Sequence, residues 1–430
     1  MMYQPKLETL PIEQLRSLQS KRLTHLVKRL SQRVPFYQQA LRNAGIEAAD
    51  IKSIDDISKL PFTRKDDLRA NYPYEMFATP MDQIARIHAS SGTTGKPTVV
   101  GYTKADLAVF DEVVARSLVC AGARPGMKLH NAYGYGLFTG GLGMHGGATK
   151  LGMAVIPVSG GMTDRQLTIL QDFEPEVICC TPSYAQTLAD ECQKRGMNPD
   201  KLKVQYAILG AEPWTETIRQ EVEKGLSVSA SNIYGLSEII GPGVSQEDIE
   251  EKGSGSYVWE DHFFPEVVDR DSGHVLPNGE EGVLVFTTLT KEAFPLIRYW
   301  TNDICSLHYD PNGKRTHIKM SAIKGRADDM LIIRGVNLFY TQVEEVLLDI
   351  PAFTANYQLH VRREGNMDHV EVKVVPDKGV VPSEDLAQSL KHSIKDRIGL
   401  SMQITLCAEG EIARSQGGKL PRVIDHRKLM

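Results

Sequence analysis

The stretch AVIPVSGGMTDRQLTILQDFEPEVICCTPSYAQTLADECQKRGMNPDKLKVQYAILGA, residues 154–211, decides the fold class. In it, the short apolar runs AVIPV, EVICCT and YAILGA alternate with two longer segments of helical spacing, TDRQLTILQDFEP and SYAQTLADECQKRG. Strands that alternate with helices favour βαβ units and a parallel sheet. Two further β-like runs, RIHAS at 86–90 and GVLVFTTL at 282–289, extend the pattern. The sequence therefore predicts an α/β protein with a large N-terminal domain of mostly parallel sheets covered by helices.

The pattern changes after IKGRADDMLIIRGVN (323–337). YQLHVRREGNMDHVEVKVVPD (357–377) alternates like antiparallel strands, and SEDLAQSLKHSIKDRIG (383–399) has the spacing of one amphipathic helix with Ser383 as its N-cap. SMQITLC supplies another strand. These segments predict a small, mobile α+β C-terminal domain. Charged residues and a glycine mark the junction, so we expect domains at 1–327 and 328–430.

Composition limits the possible partners. The net charge of −5, with 24% charged residues, provides no basic footprint for nucleic acid. The first residues do not resemble a secretion signal, and no apolar run approaches the roughly 20 residues that a membrane span needs. The six cysteines form no C-x-x-C pair or disulfide-like framework. We therefore expect a soluble, cytoplasmic protein.

The loop SSGTTGKP (90–97) combines hydroxyl side chains, glycines and one lysine. Glycines let the backbone approach an anion, and amides, hydroxyls and a cation interact with its oxygens. The P-loop spacing is absent, because only two residues separate Gly92 from Gly95 and a proline follows Lys96. The loop is therefore predicted to bind a polyphosphate without being a P-loop. The alternative is a polar turn between strands.

Two carboxylates lie in short motifs that contain aromatic residues. YGLSE (234–238) places Glu238 one turn after an aromatic residue, and YWTNDIC (299–305) places Asp303 after a strand-like run. An aspartate in that position has the chemistry to accept hydrogen bonds from a sugar diol. The alternatives are a helix cap for Glu238 and a turn aspartate for Asp303.

Glycine marks two more candidate sites. GAEPW (210–214) ends a β-like run with a glycine, which suits the close approach of a flat base. SQGGKLPRVID (415–425) isolates Lys419 on a glycine-rich tip near the C-terminus. The alternative for Lys419 is an ordinary solvated terminus.

Residues 141–146 satisfy the dinucleotide motif G-x-G-x-x-G. That motif requires a hydrophobic strand directly before it and a helix directly after it. Here a glycine-rich aromatic stretch, YGYGLFTG, precedes it, and GATKLG after it is a poor helix former. The sequence therefore disfavours a nucleotide-dependent dehydrogenase.

Six motifs stand in one order along the chain: SSGTTGKP, GAEP, YGLSE, YWTNDIC, GRADDMLIIRG and GGKLPRV. In order and rough spacing they resemble the adenylate-forming superfamily of acyl-CoA ligases, peptide-synthetase adenylation domains and luciferases. YGYGLFTGGLGMHGGA, WEDHFFPEVVD and RGVNLFYTQVEE are most similar to the phenylacetate–CoA ligase family. The resemblance covers nearly the whole chain. It implies that a carboxylate attacks the α-phosphorus of ATP, and that the thiol of coenzyme A then displaces AMP.

The resemblance also implies site residues for ATP. Glu238 would hold Mg²⁺, Asp303 would accept from the ribose hydroxyls, and Lys419 would bridge the carboxylate and the α-phosphate during adenylation only. Asp328 matches the hinge, and Tyr234 would stack on adenine. The residues that match the ATP- or AMP-binding motifs are Ser90, Ser91, Gly92, Thr93, Thr94, Gly95, Lys96, Ala211, Glu212, Pro213, Tyr234, Gly235, Ser237, Asp303 and Arg326.

For the acid, Tyr135, Phe138 and Gly141 match the acyl pocket of the family, where aromatic walls and a glycine floor would accept a flat ring. The alternative is that Tyr135 and Phe138 are core aromatics. Arg334 and Gly335 match the part that would line the thiol tunnel for coenzyme A.

The sequence departs from the family in one place. Many members have an apparent structural zinc site, with a cysteine and a histidine just before WEDHF and a Cys-x-Cys-Gly segment after the D-I-C stretch. Here only Cys305 and His317 remain nearby, and two ligands do not make a tetrahedral site. We therefore expect no structural zinc. The segment Pro-Asn-Gly at 311–313 is predicted to close that hairpin as a tight turn.

Other functions remain open at this point. A non-catalytic adenylate binder would be expected to lack Glu238 or Lys419, and both are present. An adenylating enzyme that uses another aromatic or small carboxylic acid, or that passes the acyl group to an amine or carrier protein, would share every ATP motif. The resemblance alone favours a homodimer.

Overall fold

A computed structural model describes residues 1–90, 97–327, 331–334, 336–364, 367–412 and 421–429. None of the helices in these ranges is long and apolar enough to cross a membrane. The helices are α1 Pro5–Glu8, α2 Ile12–Arg33, α3 Pro35–Asn43, α4 Lys65–Ala70, α5 Lys104–Cys120, α6 Thr139–Leu151, α7 Thr163–Asp172, α8 Pro182–Lys194, α9 Glu216–Leu226, α10 Tyr340–Leu348 and α11 Glu384–Ile398.

The strands fall into a large N-terminal set and a smaller C-terminal set. The first set is β1 Arg86–Ala89, β2 Val99–Tyr102, β3 Lys128–Asn131, β4 Ala154–Ile156, β5 Val177–Cys180, β6 Tyr206–Gly210, β7 Ser229–Leu236, β8 Gly241–Glu247, β9 Ser256–Val258, β10 Phe263–Val268, β11 Glu281–Thr288, β12 Tyr299–His308, β13 Lys319–Met320 and β14 Gly325–Arg326. The second set is β15 Leu331–Ile333, β16 Val336–Leu338, β17 Phe353–Glu364, β18 Met367–Pro376, β19 Gln403–Leu406 and β20 Val423–Asp425.

The predicted α/β class is confirmed, and its parallel part occupies one half of the main sheet. That sheet has the order β10-β11-β12-β13-β9-β8-β7-β6-β5-β3-β4, with β14 beside β12. Strands β4, β3, β5, β6 and β7 are parallel, and the remaining pairs are antiparallel. The prediction placed RIHAS and GVLVFTTL in the same parallel pattern. In the structure, β1 pairs antiparallel with β2 in a separate sheet, and β11 lies between antiparallel neighbours.

The two predicted crossover helices form as α7 and α8. All four residues of β5 are buried, which matches a central strand covered on both faces. The side chain of Thr181 accepts from the Tyr184 amide and caps α8, whose first residue is a proline. These contacts fix the point at which the chain leaves the sheet edge after β5.

The segment GATKLG (147–152) was expected to be a poor helix former, and that expectation is wrong, because its first five residues complete α6. A Cβ atom on Gly143 would lie 2.3 Å from the Phe110 ring, and one on Gly147 would lie 2.3 Å from Val114. The glycines therefore let α6 approach α5 closely, and this packing outweighs their low helix propensity. The G-x-G-x-x-G match lies inside α6 and not at a strand-to-helix turn.

The smaller C-terminal domain agrees with the sequence prediction. Strands β17 and β18 form the long antiparallel pair, flanked by β20 and β19, and α11 packs on them. Ser383 caps α11 by accepting from the Leu386 amide, and Gly399 ends the helix at φ 78°. Buried aliphatic side chains of β17, β18 and α11 form a core of their own.

The two parts touch beside α8. Ala355, at the irregular start of β17, is buried in a hydrophobic cluster that otherwise belongs to the N-terminal sheet and to α7, α8 and α9. Lys194 at the end of α8 forms an ion pair of 3.3 Å with Glu409. The smaller domain therefore rests against α8 and the hydrophobic cluster beneath it.

Candidate active site

The candidate site forms where β6 and β7 end. These neighbours are parallel, and Gly210 pairs with Ile233, so the segments after them leave the sheet at one edge. A Cβ atom on Gly210 would lie 2.1 Å from the Ile233 carbonyl oxygen. A glycine is therefore required where β6 approaches the backbone of β7. The approach of a flat base to GAEPW stays a prediction.

Residues 211–213 continue this edge. Ala211 adopts φ 75°, which turns the chain sharply away from β6. The Oε1 atom of Glu212 accepts a 2.8 Å hydrogen bond from the Ser183 amide in the first turn of α8. The carboxylate thus occupies a helix N-terminus, where negative charge is favourable, and it holds the segment 211–213 in place.

The YGLSE motif spans a bulge between β7 and β8, and no helix begins there. The pairing shifts between Tyr234 and Gly235, and a Cβ atom on Gly235 would lie 1.8 Å from the Gly241 carbonyl oxygen. Ser237 contacts the Thr139 hydroxyl at 3.0 Å. Glu238 is buried in the turn that follows, with 7% of its surface exposed. The helix-cap alternative for Glu238 therefore does not apply.

Asp303 lies within β12, so the turn alternative does not apply to it either. Its Oδ2 accepts a 2.6 Å hydrogen bond from the Tyr234 hydroxyl, and its Oδ1 lies 3.4 Å from an Arg326 guanidinium nitrogen. Pairing of β12 with β14 places Asp303 opposite Arg326. Burial, with the Asp303 charge as the next cause, raises the pKa of Tyr234 well above its usual value, so its hydroxyl keeps the proton that it donates.

Tyr299 is the first residue of the YWTNDIC motif, whose pattern predicts no role for it, and the structure places it in this site. Burial raises the pKa of Tyr299 well above its usual value, and the Glu238 charge and a hydrogen bond with the Glu238 side chain act in the same direction. Arg326 and Asp303 are close enough to contribute to the same pKa. The structure thus brings together Tyr234, Glu238, Asp303, Arg326 and Tyr299 from three separate segments.

Lys291 is a second residue that the sequence analysis missed. It follows β11, it is 5% exposed, and its Nζ lies 3.2 Å from the Glu238 carbonyl oxygen. Its sequence context is a Lys-Glu pair between the strand-like run GVLVFTTL and the apolar segment AFPLI. A charged residue in such a position is either at the surface or buried with partners, and the sequence does not separate the two.

The three residues expected to bind the acid lie after β3. The Tyr135 hydroxyl accepts from Asn131 Nδ2 at 2.7 Å and lies 3.1 Å from His145 Nδ1. Phe138 precedes α6 and is 38% exposed, so it is not a core aromatic. A Cβ atom on Gly141 would lie 2.5 Å from the Gly134 carbonyl oxygen, which requires a glycine where α6 meets the loop.

The remaining predicted site residues are only partly described. The amide of Ser90 donates to the Thr98 carbonyl at 2.9 Å, where the loop 90–97 begins and ends. Arg334 has φ 50° and donates to the Ser401 carbonyl at 2.7 Å within the smaller domain. The other predicted positions lie outside the described residues: Ser91, Gly92, Thr93, Thr94, Gly95, Lys96, Asp328, Gly335 and Lys419.

The hairpin between β12 and β13, where many family members have the zinc motif, closes through the predicted tight turn. The Gly313 amide donates to the Asp310 carbonyl at 3.1 Å, which confirms a tight turn at 310–313. With its proton on Nε2, His317 donates to the Leu7 carbonyl at 3.0 Å and accepts from the Glu260 amide at 3.1 Å. Both ring nitrogens therefore have backbone partners. The absence of structural zinc stays a prediction.

Models of known protein families match most of the chain. The AMP-binding enzyme model matches residues 8–289, and the AMP-binding enzyme C-terminal domain model matches residues 335–427. The chain belongs to the AMP-binding enzyme family. The resemblance to adenylate-forming enzymes is thereby confirmed.

This AMP-binding enzyme has curated relatives that align over nearly the full length of both chains. A phenylacetate-coenzyme A ligase from Thermus thermophilus is 59% identical over 446 residues, which cover 100% of both chains. One from Escherichia coli is 45% identical and covers 99% of this chain and 98% of its own.

Solved structures resemble the AMP-binding enzyme in both domains. A 2-hydroxyisobutyryl-CoA ligase in its postadenylation state, in complex with 2-HIB-AMP, is 26% identical with a TM-score of 0.92, covering 99% of this chain and 92% of that one. The same ligase with 2-HIB-AMP and CoA in the thioesterification state has a lower TM-score of 0.74. That alignment covers 99% of this chain and 93% of the ligase chain. The domain arrangement seen here is therefore closer to the postadenylation state of that ligase.

Proposed function

We propose that this chain is an ATP-dependent, AMP-forming ligase that joins an arylacetic acid, phenylacetate, to coenzyme A through an acyl-adenylate. The observation that carries the proposal is the cluster of Tyr234, Glu238, Asp303 and Arg326 at the edge where β6 and β7 end. Full-length relatives named phenylacetate-coenzyme A ligase supply the substrate class.

Each part of the cluster contacts a different part of the nucleotide. Asp303 accepts from the ribose hydroxyls, and Arg326 beside it contacts the ribose or phosphate region. Residues 211–213 and Tyr234 enclose adenine, since the chain reverses at Ala211 and Glu212 is tied to α8. The loop 90–97 provides amides, hydroxyls and Lys96 for the β- and γ-phosphates.

Mg²⁺ fits the donor chemistry of Glu238. Its side chain is a buried carboxylate that accepts from the neutral Tyr299 hydroxyl, and oxygen ligands are those that Mg²⁺ prefers. When bound, the ion supplies charge neutralisation for the ATP phosphates. The chain contributes the fixed position of the carboxylate, since the bulge at Gly235 and the bond between Ser237 and Thr139 hold its turn.

In the first half-reaction, a carboxylate oxygen of the acid attacks the α-phosphorus, the bond to the β-phosphate bridging oxygen breaks, and pyrophosphate leaves. Lys419 neutralises the charge that develops between carboxylate and α-phosphate. In the second, the thiolate of coenzyme A attacks the acyl carbon and AMP leaves. Arg334 and Gly335 line the thiol path after the domain 328–430 rotates about Asp328 against the domain 1–327.

The acid binds after β3 with its ring between Tyr135 and Phe138 over Gly141. Phe138 presents exposed aromatic surface, and Gly141 keeps the start of α6 close to the loop. A flat ring fits such walls better than a branched aliphatic chain. Cytoplasmic location and a homodimeric state remain predictions from the sequence, and light scattering after gel filtration checks the second.

An acid panel tests the proposed function. Pyrophosphate release is measured with phenylacetate, indoleacetate, benzoate, acetate and hexanoate, each with and without coenzyme A. We expect the highest kcat/KM for an arylacetate and multiple turnovers only with coenzyme A. A preference for acetate or hexanoate would contradict the arylacetate assignment. Turnover that depends on an amine or carrier protein instead of coenzyme A would favour the alternative adenylating enzyme.

A further inference from the structure

Lys291 is a buried cation that the proposed chemistry does not use. Its Nζ lies 3.2 Å from the Glu238 carbonyl oxygen. The same atom lies 4.8 Å from the centre of the Tyr102 ring and 5.2 Å from that of Phe294, within the range of cation–π attraction. The ammonium group therefore has a defined place between two rings and the backbone of the Glu238 turn.

The backbone next to Lys291 is held by Asp106. This carboxylate accepts from the amides of Glu292 at 2.6 Å and Ala293 at 2.9 Å, and it also accepts from the Thr103 amide at the start of α5. Because the amides of the two residues that follow Lys291 are bonded to one buried carboxylate, the backbone from which the Lys291 side chain extends is held on that side. Its direction toward Glu238 is thus set by α5.

Tyr102 holds the other end of the same turn. Its hydroxyl donates to the Ile240 carbonyl oxygen at 2.9 Å, while its ring lies beside the Lys291 ammonium. The turn that carries Glu238 therefore has one carbonyl bonded to Lys291 and another bonded to Tyr102. Both bonds leave the Glu238 carboxylate itself available to other partners.

Burial of the charged Lys291 side chain is unfavourable, and nearby groups must stabilise the charge. Burial lowers its pKa to about 8, and the nearby charges of Asp106 and Glu238 act in the opposite direction. Burying an ammonium group is unfavourable unless it is paired, and an apolar side chain of similar volume often suits such a place as well. A buried lysine at this position therefore indicates a role in the site.

We propose that Lys291 is a positioning residue for Glu238: its bond to the Glu238 carbonyl, together with the bond from Tyr102 to Ile240, fixes the turn so that the carboxylate faces the nucleotide. This inference rests on the proposed role of Glu238 in the proposed function. Lys291 acts through the backbone of Glu238, so the expected loss is in the binding and activation of MgATP.

The test compares Lys291→Met with two other variants. Isothermal titration calorimetry measures the Kd of MgATP, and steady-state assays measure KM for MgATP and for phenylacetate. We expect Lys291→Met to weaken MgATP binding about 10–100-fold, the range seen when groups that orient a metal ligand are removed. KM for phenylacetate should stay near the wild-type value, and Lys291→Arg should recover part of the affinity.

Lys319→Met is the matched control. Lys319 is also fully buried, but its Nζ bonds Glu251 and Asp310 at the hairpin closed by the 310–313 turn. The Lys319→Met variant should be less stable than the wild type but should bind MgATP with the same affinity. Equal weakening of MgATP binding in both methionine variants would overturn the proposal. If Lys291→Met does not fold, Tyr102→Phe replaces it, with a smaller loss in the same direction expected and unchanged binding counting against the proposal.

Glu238→Gln separates the two hypotheses. If Glu238→Gln loses MgATP affinity while Lys291→Met binds as the wild type does, the positioning role of Lys291 is wrong and the proposed function stands. If Glu238→Gln binds MgATP normally, the proposed role of Glu238 is wrong, and Lys291 loses the function inferred here.

Discussion

The Tyr234 hydroxyl donates to Asp303 at 2.6 Å, although 69 residues separate them in the chain. Arg326 approaches the other carboxylate oxygen of Asp303 at 3.4 Å. Three motifs, each of which is weak evidence for function by itself, therefore come together at the Asp303 carboxylate. The bond from Tyr234 fixes the orientation of the Asp303 carboxylate.

Removing the members of this pair should weaken ATP binding unequally. Asp303→Ala should raise the KM for ATP about 100-fold, because hydrogen bonds to a charged group contribute about 1.5–3 kcal/mol. Tyr234→Phe should raise it less, since Arg326 still orients the carboxylate. Tyr309→Phe is the control, because Tyr309 also donates to a carboxylate, that of Glu260, outside the site. Equal KM values in all three variants would contradict the assignment.

Lys419→Ala should separate the two half-reactions. Loss of one preorganised charge typically costs about 10²–10³-fold in rate, so acid-dependent pyrophosphate release should fall by that factor. Thioester formation from synthetic acyl-adenylate and coenzyme A should be retained. Asp328→Pro should do the reverse by fixing φ at the expected hinge. Lys378→Ala, at an exposed position of the smaller domain, should affect neither. Equal slowing of both steps by Lys419→Ala would show that domain alternation does not apply.

Gly235→Ala should destabilise the protein. Its Cβ atom would lie 1.8 Å from the Gly241 carbonyl oxygen, so the β7–β8 bulge must open to accept it. Forcing an extra carbon into a packed position typically costs about 1–3 kcal/mol, measurable by urea denaturation. A Cβ atom on Gly134 would meet no atom within 4 Å, so Gly134→Ala is the control. A similar free energy of unfolding for both variants would argue against the bulge geometry.

His130 should make stability fall in mild acid. Burial lowers its pKa from 6.5 to about 4, and a hydrogen bond with Gln166 opposes this shift only in part. Between these values the unfolded chain binds the proton and the folded chain does not, so stability is present above pH 6.5 and is lost as the pH falls toward 4. Between pH 7 and pH 5 the loss should be about 2 kcal/mol, since one pKa unit corresponds to about 1.4 kcal/mol.

The His130→Asn variant isolates this contribution. The other titrating groups are unchanged in the variant, so the difference between the two proteins reports on residue 130. Urea denaturation at pH 7, 6 and 5 should give a shallower pH dependence for the variant. Parallel curves for the two proteins would show that His130 is not kept neutral by the fold.

Much of the fold is predictable from local patterns. Strands β4, β5 and β6 and helices α7 and α8 follow directly from apolar runs and helical spacing between residues 154 and 211. The antiparallel half is harder, because a run such as GVLVFTTL is buried in either kind of sheet and its pairing depends on distant strands. Helix α6 was missed because its glycines are stabilised by contact with α5, which propensity does not include.

The candidate site shows the same division. Glu238 and Asp303 are predictable because each lies in one of the ordered motifs. A motif identifies functional residues within its own segment, but it does not show which distant residues contact them. Lys291 and Tyr299 contact Glu238 only in the folded chain, because β11 and β12 are distant from β7 in sequence and are not its neighbours in the sheet. Neither residue has a neighbour in sequence that indicates this contact. Their roles follow from the geometry of the site.

The transfer of oxygen from the acid tests the central claim most directly. Phenylacetate labelled with ¹⁸O in its carboxylate is incubated with ATP, Mg²⁺ and coenzyme A, and the products are analysed by mass spectrometry. Attack of the carboxylate on the α-phosphorus predicts that AMP carries one ¹⁸O atom, that phenylacetyl-CoA keeps the other as its carbonyl oxygen, and that pyrophosphate is unlabelled. Unlabelled AMP, or label in inorganic phosphate together with ADP, would contradict the acyl-adenylate route.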